Sequence, residues 1–222
     1  MWRRGQAERH IEPGARPVPM RAADDPLVGH DGAMAALCVF CGSSSGRDGR
    51  YAEVAAALGR AVAEAGHDLV YGGGHVGLMG VVADAALAQG GTVIGVMTEQ
   101  LVAAEVAHQG LTRLEITASM HGRKARMAEL SDGVIVLPGG FGTLDETFEI
   151  VTWNQLGLVA VPVVFLDVLG YFSPLFDFVG HSVAAGFVSE RHLALVQRAE
   201  SVDDAVRAAT GSATEYSPKW SG

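Results

Sequence analysis

The chain has 222 residues, with 16 Lys and Arg against 25 Asp and Glu, a formal charge of −9 with histidines neutral. That balance argues against a dedicated nucleic-acid binder, which needs a basic face to displace counterions from phosphates. Hydrophobic residues make up 49%, as in globular proteins, and no uncharged apolar run approaches the roughly 18 residues of a membrane span, so a soluble cytoplasmic protein with no nucleic-acid or membrane partner is expected. Residues 1–33 carry Pro13, Pro17, Pro19 and Pro26, and their five arginines are matched by five acids with no apolar period. This predicts a disordered extension. Arg3-Arg4 lacks the apolar stretch and small-residue cleavage site that would make it an export signal.

From Leu37 onward short apolar runs alternate with alanine-rich helical patterns. Strands are predicted at 37–41, 68–72, 92–97, 113–117, 133–137 and 162–167, and helices near 50–65, 77–89, 119–131, 143–156, 172–185 and 201–210. Apolar strands alternating with helices mean a parallel sheet covered on both faces, a Rossmann-like doubly wound α/β domain over 34–212, followed by a flexible tail at 213–222. In such sheets ligands sit beyond the carboxyl ends of the strands. Glycine is the compositional outlier, 29 of 222 residues or about twice ordinary usage, and three strand ends are rich in it. Cys38 and Cys41, the two cysteines, sit three apart on a predicted strand, an odd offset that puts them on opposite faces and supports neither a disulfide nor a metal site.

The first glycine-rich end is Cys41-Gly42-Ser43-Ser44-Ser45-Gly46, either a polar ligand wall or an ordinary Ser/Gly turn. The second has Gly72, Gly74 and Gly77 in G-x-G-x-x-G spacing, the form of a dinucleotide fingerprint, with Glu99 near the place of a ribose-binding acid. It follows the second strand, however, whereas dinucleotide folds carry it after the first. The third, Pro138 to Glu146, reads PGGFGTLDE after the strand GVIVL. Its glycines leave amides uncovered, so it can cradle an anion at a helix start. Thr143 and Glu146 also match the T-x-x-E capping box, and spacing alone leaves capping and catalysis open for Glu146.

The helix opened by Ser119 tilts the balance. At about 100° per residue, Met120, Met127 and Leu130 share a stripe that also contains Arg123. An inward arginine is costly unless an anion meets it. Lys124 and Arg126 flank the stripe, Arg126 reading as a solvated basic residue, and His121 reads as a surface histidine.

CVFCGSSSG, LVYGGGHVGLMG and SMHGRKARMAELSDGVIVLPGGFGTLDE, followed by TFEIVTWNQLG, resemble in order and spacing the LOG family, the cytokinin-activating phosphoribohydrolases often mislabelled lysine decarboxylases. The likeness covers about residues 35–200. It implies hydrolysis of N6-substituted AMP to free base and ribose 5-phosphate, no cofactor, and a homodimer or higher homo-oligomer. It makes Arg123 and Glu146 the catalytic pair. The expected substrate and phosphate set is Gly42, Ser43, Gly72, Gly73, Gly74, Met120, Lys124, Gly139, Gly140, Gly142 and Thr143, with the 98–112 segment shaping the base pocket. Phe141 stands where tyrosine is common in the family and Gly122 where a larger residue is usual.

The chemistry fits those residues. Breaking the ribose C1′–N9 bond builds positive charge on the sugar, which a carboxylate stabilises, while arginine stays charged and serves by bidentate hydrogen bonding. The competing classes are a Rossmann-like carrier that only binds a nucleotide or cofactor, and a pyridoxal-phosphate decarboxylase. The latter needs a Schiff-base lysine, and only Lys124 and Lys219 exist.

Overall fold

A computed structural model of the chain describes residues 34–104 and 106–213. The extension expected at 1–33 and nearly all of the tail expected at 213–222 lie outside the described residues. Every apolar run becomes a strand: β1 (Ala36–Phe40), β2 (Asp68–Tyr71), β3 (Val93–Thr98), β4 (Arg113–Thr117), β5 (Gly133–Val136) and β6 (Val163–Leu166). A seventh, β7 (Gln197–Ala199), has no apolar run because it lies at the sheet edge, where one side of a strand can stay polar. The long helices α1 (Arg50–Glu64), α2 (Gly77–Ala88), α4 (Met120–Glu129), α5 (Phe141–Gln155), α6 (Ser173–Ala184) and α8 (Val202–Ala209) fall where the periodicity puts them. Two short helices, α3 (Glu99–Ala103) and α7 (Glu190–Leu193), are additional. No described helix is long and apolar enough to cross a membrane.

All neighbouring strands are parallel, in the order β4-β3-β2-β1-β5-β6-β7. The chain therefore steps outward from β1 to β4, crosses back, and steps outward again from β5 to β7. The reversal lies between β1 and β5, whose registered pair Phe40 and Val136 brings both strands to an end side by side. That crevice is where a doubly wound sheet binds its ligand. It is flanked by the first and third glycine-rich ends, not by the one that looks like a dinucleotide fingerprint.

Side chains alternate between two cores. Leu37, Val39 and Cys41 join Leu69, Tyr71, Ile135 and Val164 beneath α1, α2 and α8. Cys38 and Phe40 join Val70, Val96, Val134 and Phe165 beneath Met127 of α4 and Ile150 of α5. The cysteines thus face opposite ways, as their odd offset requires, and both are buried and unpaired. Burial pushes both thiols well above their ordinary pKa, which keeps them protonated and unreactive.

Candidate active site

The three glycine-rich ends are locked together by backbone contacts. Gly42 donates its N–H to the Pro138 carbonyl at 3.0 Å, and its own carbonyl accepts from Leu78 at 3.0 Å. With both groups used, Gly42 joins the loops and has no amide left for a phosphate. Gly77, at φ +61°, sets its Cα against the backbone of Ser43 and Ser44, where any Cβ would overlap. Gly72 is likewise demanded by packing, since a Cβ there would occupy the place of the Arg123 guanidinium. The G-x-G-x-x-G spacing therefore serves close approach of chain to chain. The Gly73 carbonyl accepts from His108 N–H at 2.9 Å and His75 N–H donates to Val106 at 3.0 Å, so the 106–108 segment clasps this loop. Ser43 is exposed, as is Glu99 at the start of α3.

The third end is different in kind. Gly140 is the N-cap of α5, its side supplies no capping group, and the first turn contains no acid. The first helical hydrogen bond runs from Leu144 N–H to the Gly140 carbonyl at 3.1 Å. Among the described residues no acceptor meets the N–H groups of Gly140, Phe141, Gly142 or Thr143. Such a helix start, with orphan donors and the positive end of the dipole, has the chemistry to take an anion. Thr143 is buried and its hydroxyl lies against Gly139, where an added Cβ would strike both it and the Gly42 nitrogen. The capping box does not form: the helix begins two residues before Thr143, and Glu146 is turned elsewhere.

What Glu146 meets is Arg123. Ser119 opens α4 as expected, its hydroxyl accepting from Gly122 N–H at 3.0 Å. One turn on, Arg123 is only 6% exposed. Its Nε donates to the Val96 carbonyl at 2.8 Å, Nη2 to the Gly72 carbonyl at 3.3 Å, and Nη1 to Glu146 Oε1 at 2.7 Å. The inward arginine thus has an anionic partner, and that partner is protein. Burial raises the Glu146 pKa, against the charge and hydrogen bond of Arg123, which pull it down; Asp145 adds to the rise and Lys124 opposes it. Glu146 Oε2 takes no hydrogen bond from any described residue. It remains available to a substrate.

The neighbours sort as follows. Lys124, expected among the phosphate ligands, pairs with Asp145 at 3.0 Å and Glu149 at 2.9 Å. Met120 departs from the stripe that predicted it: at the first position of α4 it is half exposed, while Met127 is fully buried. A stripe describes a helix interior, and Met120 is the first residue of α4. Arg126 binds Glu115 and Glu129 at the surface, and His121 is exposed, edge-on to Trp153. Sequence reading missed Tyr171, whose hydroxyl donates to the Gly139 carbonyl at 2.6 Å. The strand-end rule could have found it, because Asp167 to Phe172 is the loop that follows β6.

Known proteins resemble the chain over most of its length. The family described as "Possible lysine decarboxylase" matches residues 79–209. A cytokinin riboside 5′-monophosphate phosphoribohydrolase of Rhodococcoides fascians is 45% identical over 173 residues, 78% of this chain and 87% of that protein. The chain belongs to the cytokinin riboside 5′-monophosphate phosphoribohydrolase family. Another relative, the phosphoribohydrolase LOG7 of Arabidopsis thaliana, is 42% identical over 83% of each chain. Among solved structures, the molybdenum cofactor carrier protein of Chlamydomonas reinhardtii superposes with a TM-score of 0.60 over 79% of this chain and 96% of that one. At 23% identity that likeness shows the Rossmann-like fold.

Proposed function

We propose that this chain hydrolyses the N-glycosidic bond of nucleoside 5′-monophosphates, AMP and its N6-substituted forms, releasing free base and ribose 5-phosphate. The observation that carries the reading is on one helix. The orphan amides at the start of α5 take the 5′-phosphate, and Glu146, five residues after Phe141, lies about 7–8 Å further along the axis. That rise suits the span of a ribose between its phosphate and C1′. Ionised Glu146 stabilises the cationic sugar, and its raised pKa makes it a better base toward the attacking water than an ordinary carboxylate. Arg123 holds Glu146 Oε1 and leaves Oε2 for the reaction.

Decarboxylation through a Schiff base does not suit this site. Burial works against the charge on Lys124, but its bonds to Glu149 and Asp145 outweigh that and raise its pKa, so it is held as an ammonium rather than the free amine such chemistry needs. A homodimer or higher homo-oligomer fits the exposed apolar side chains Leu114 and Ile116 on edge strand β4 and Phe141 and Phe148 on α5. An open groove of about 560 Å³ lined by Leu144, Phe148 and Trp153 runs along α5 itself. Light scattering on the purified protein gives the assembly directly. A cytoplasmic location accords with two buried, unpaired cysteines.

The deciding assay incubates the purified protein with AMP, isopentenyl-AMP and the matching nucleosides and follows free base by chromatography. Both monophosphates should yield base and ribose 5-phosphate. Losing several charge-assisted hydrogen bonds, at about 1.5–3 kcal/mol each, should lower kcat/KM for the nucleosides at least about a thousandfold. No base release from either monophosphate refutes the assignment.

A further inference from the structure

The loop after β6 contributes nothing to the catalytic pair, yet it is tightly anchored. Leu169 and Gly170 are both left-handed, at φ +57° and +70°, and leucine rarely adopts that conformation. The turn is anchored by Asp167, whose fully buried carboxylate pairs with Arg198 at 2.6 Å. It also accepts from Phe172 N–H at 2.7 Å and from the Ser173 hydroxyl at 3.3 Å. The result is to deliver Tyr171 to the glycine loop. Its ring stands edge-on to Tyr51 at 5.9 Å and to Phe172 at 5.0 Å, and Tyr51 in turn lies against Gly46 of the first loop. At the end of this brace the Tyr171 hydroxyl holds the Gly139 carbonyl.

The peptide it holds is one that can turn over. Gly139 and Gly140 flank it, and glycine on both sides lets the plane rotate between orientations that side chains would forbid. Because a trans peptide is planar, its C=O and N–H point in opposite directions. Fixing the Gly139 carbonyl on Tyr171 therefore fixes the Gly140 N–H on the other side, with the orphan donors of α5. In the flipped state a carbonyl would meet the phosphate instead.

We propose that Tyr171 is a positioning residue that selects the anion-binding orientation of the Gly139–Gly140 peptide. The proposal rests on the reading of this loop as the 5′-phosphate site, and deepens it. One net hydrogen bond biases the ratio of the two orientations by about three- to tenfold. Apparent affinity, which falls with the competent fraction, drops by about twofold when the two states become comparable and by up to the full factor when the flipped state predominates.

The test is Tyr171→Phe, which keeps the ring contacts and removes the hydroxyl. Dissociation constants for AMP, ribose 5-phosphate and adenosine are measured by calorimetry on the wild type and the variant, with KM, kcat and melting temperature alongside. The expected result is AMP and ribose 5-phosphate weakened about two- to tenfold and KM for AMP raised to match, with adenosine affinity, kcat and melting temperature unchanged. AMP bound as tightly by the variant as by the wild type overturns the proposal, as does equal weakening of AMP and adenosine, which would mark a general structural role. A wild type that binds AMP no better than adenosine overturns the phosphate reading itself, and with it the role of Tyr171. Tyr171→Ala, which also removes the ring, should weaken ribose 5-phosphate at least as much as the phenylalanine variant, and a smaller effect also refutes the role.

Discussion

Replacing Arg123 by alanine tests the hub of the site. The guanidinium satisfies three acceptors at once, the Val96 and Gly72 carbonyls and Glu146. Its removal leaves a mostly buried carboxylate without its partner, a loss of about 3–5 kcal/mol. At about 2–4 °C per kcal/mol for a domain of this size, the melting temperature should fall by about 6–20 °C. The kinetic signature is more specific. Arg123 opposes the burial that raises the Glu146 pKa, so without it the pKa climbs further, by about two units for each 3 kcal/mol of lost stabilisation of the anion. If ionised Glu146 is the working form, activity is present above its pKa and lost as pH falls through it. The wild-type acid limb of kcat/KM should then lie above the ordinary glutamate range, and in Arg123→Ala it should move to still higher pH. The assay is kcat/KM for AMP across pH 5–9, at a temperature where the variant is folded. An acid limb at the same pH in both proteins refutes the coupling, whatever the loss of rate.

Glu146→Gln should retain AMP binding but lose turnover at least about a hundredfold, the usual cost of removing a group that acts on the reacting atoms; near-normal kcat would return Glu146 to a structural role. Arg126→Ala, whose ion pairs are at the surface, should leave kcat/KM within about twofold and melting within about 2 °C. A loss matching Arg123→Ala would show that basicity of α4 as a whole is what matters. Gly139→Ala should abolish tight AMP binding, because the new methyl meets Thr143 and the Gly42 nitrogen; calorimetry showing unchanged affinity would show that the loop has room to yield.

The sequence made the strands, the long helices and the inward arginine legible because each is a local signal. Leu37 to Cys41 alternates between two cores, and Arg123 sits in a helix whose interior faces the sheet. The T-x-x-E ambiguity was not resolvable locally, since it depends on where α5 begins, just after Pro138 and Gly139 meet Gly42. Gly72 and Gly77 have a structural demand that no local signal shows. Their spacing is that of a phosphate loop, but the contacts that require glycine are with Arg123 and with Ser43–Ser44, on chain segments remote in sequence. Tyr171 and β7 are also products of tertiary pairing. Neither carries a periodic pattern, and each acquires its role only when β6 is placed next to β5.

The division of labour between side chain and backbone follows from how Arg123 is used. A guanidinium free to grip phosphate would have most of its donors unspent, but here the Nε and one N–H on each terminal nitrogen are committed to protein acceptors. Lys124 is committed as well, to Asp145 and Glu149. On the proposed reading, in a chain of net charge −9 with Asp145, Glu146 and Glu149 on one helix, the backbone amides of α5 are the strongest local attraction offered to a phosphate. That explains why α5 forgoes a capping side chain worth about 1 kcal/mol. A serine or aspartate at position 140 would occupy one of the orphan amides permanently and so compete with a ligand there. The helix instead draws its stability from the buried Thr143, Thr147, Ile150 and Asn154 on its inner face, which leaves its first turn free for the anion and places Glu146 one turn deeper, where burial raises its basicity.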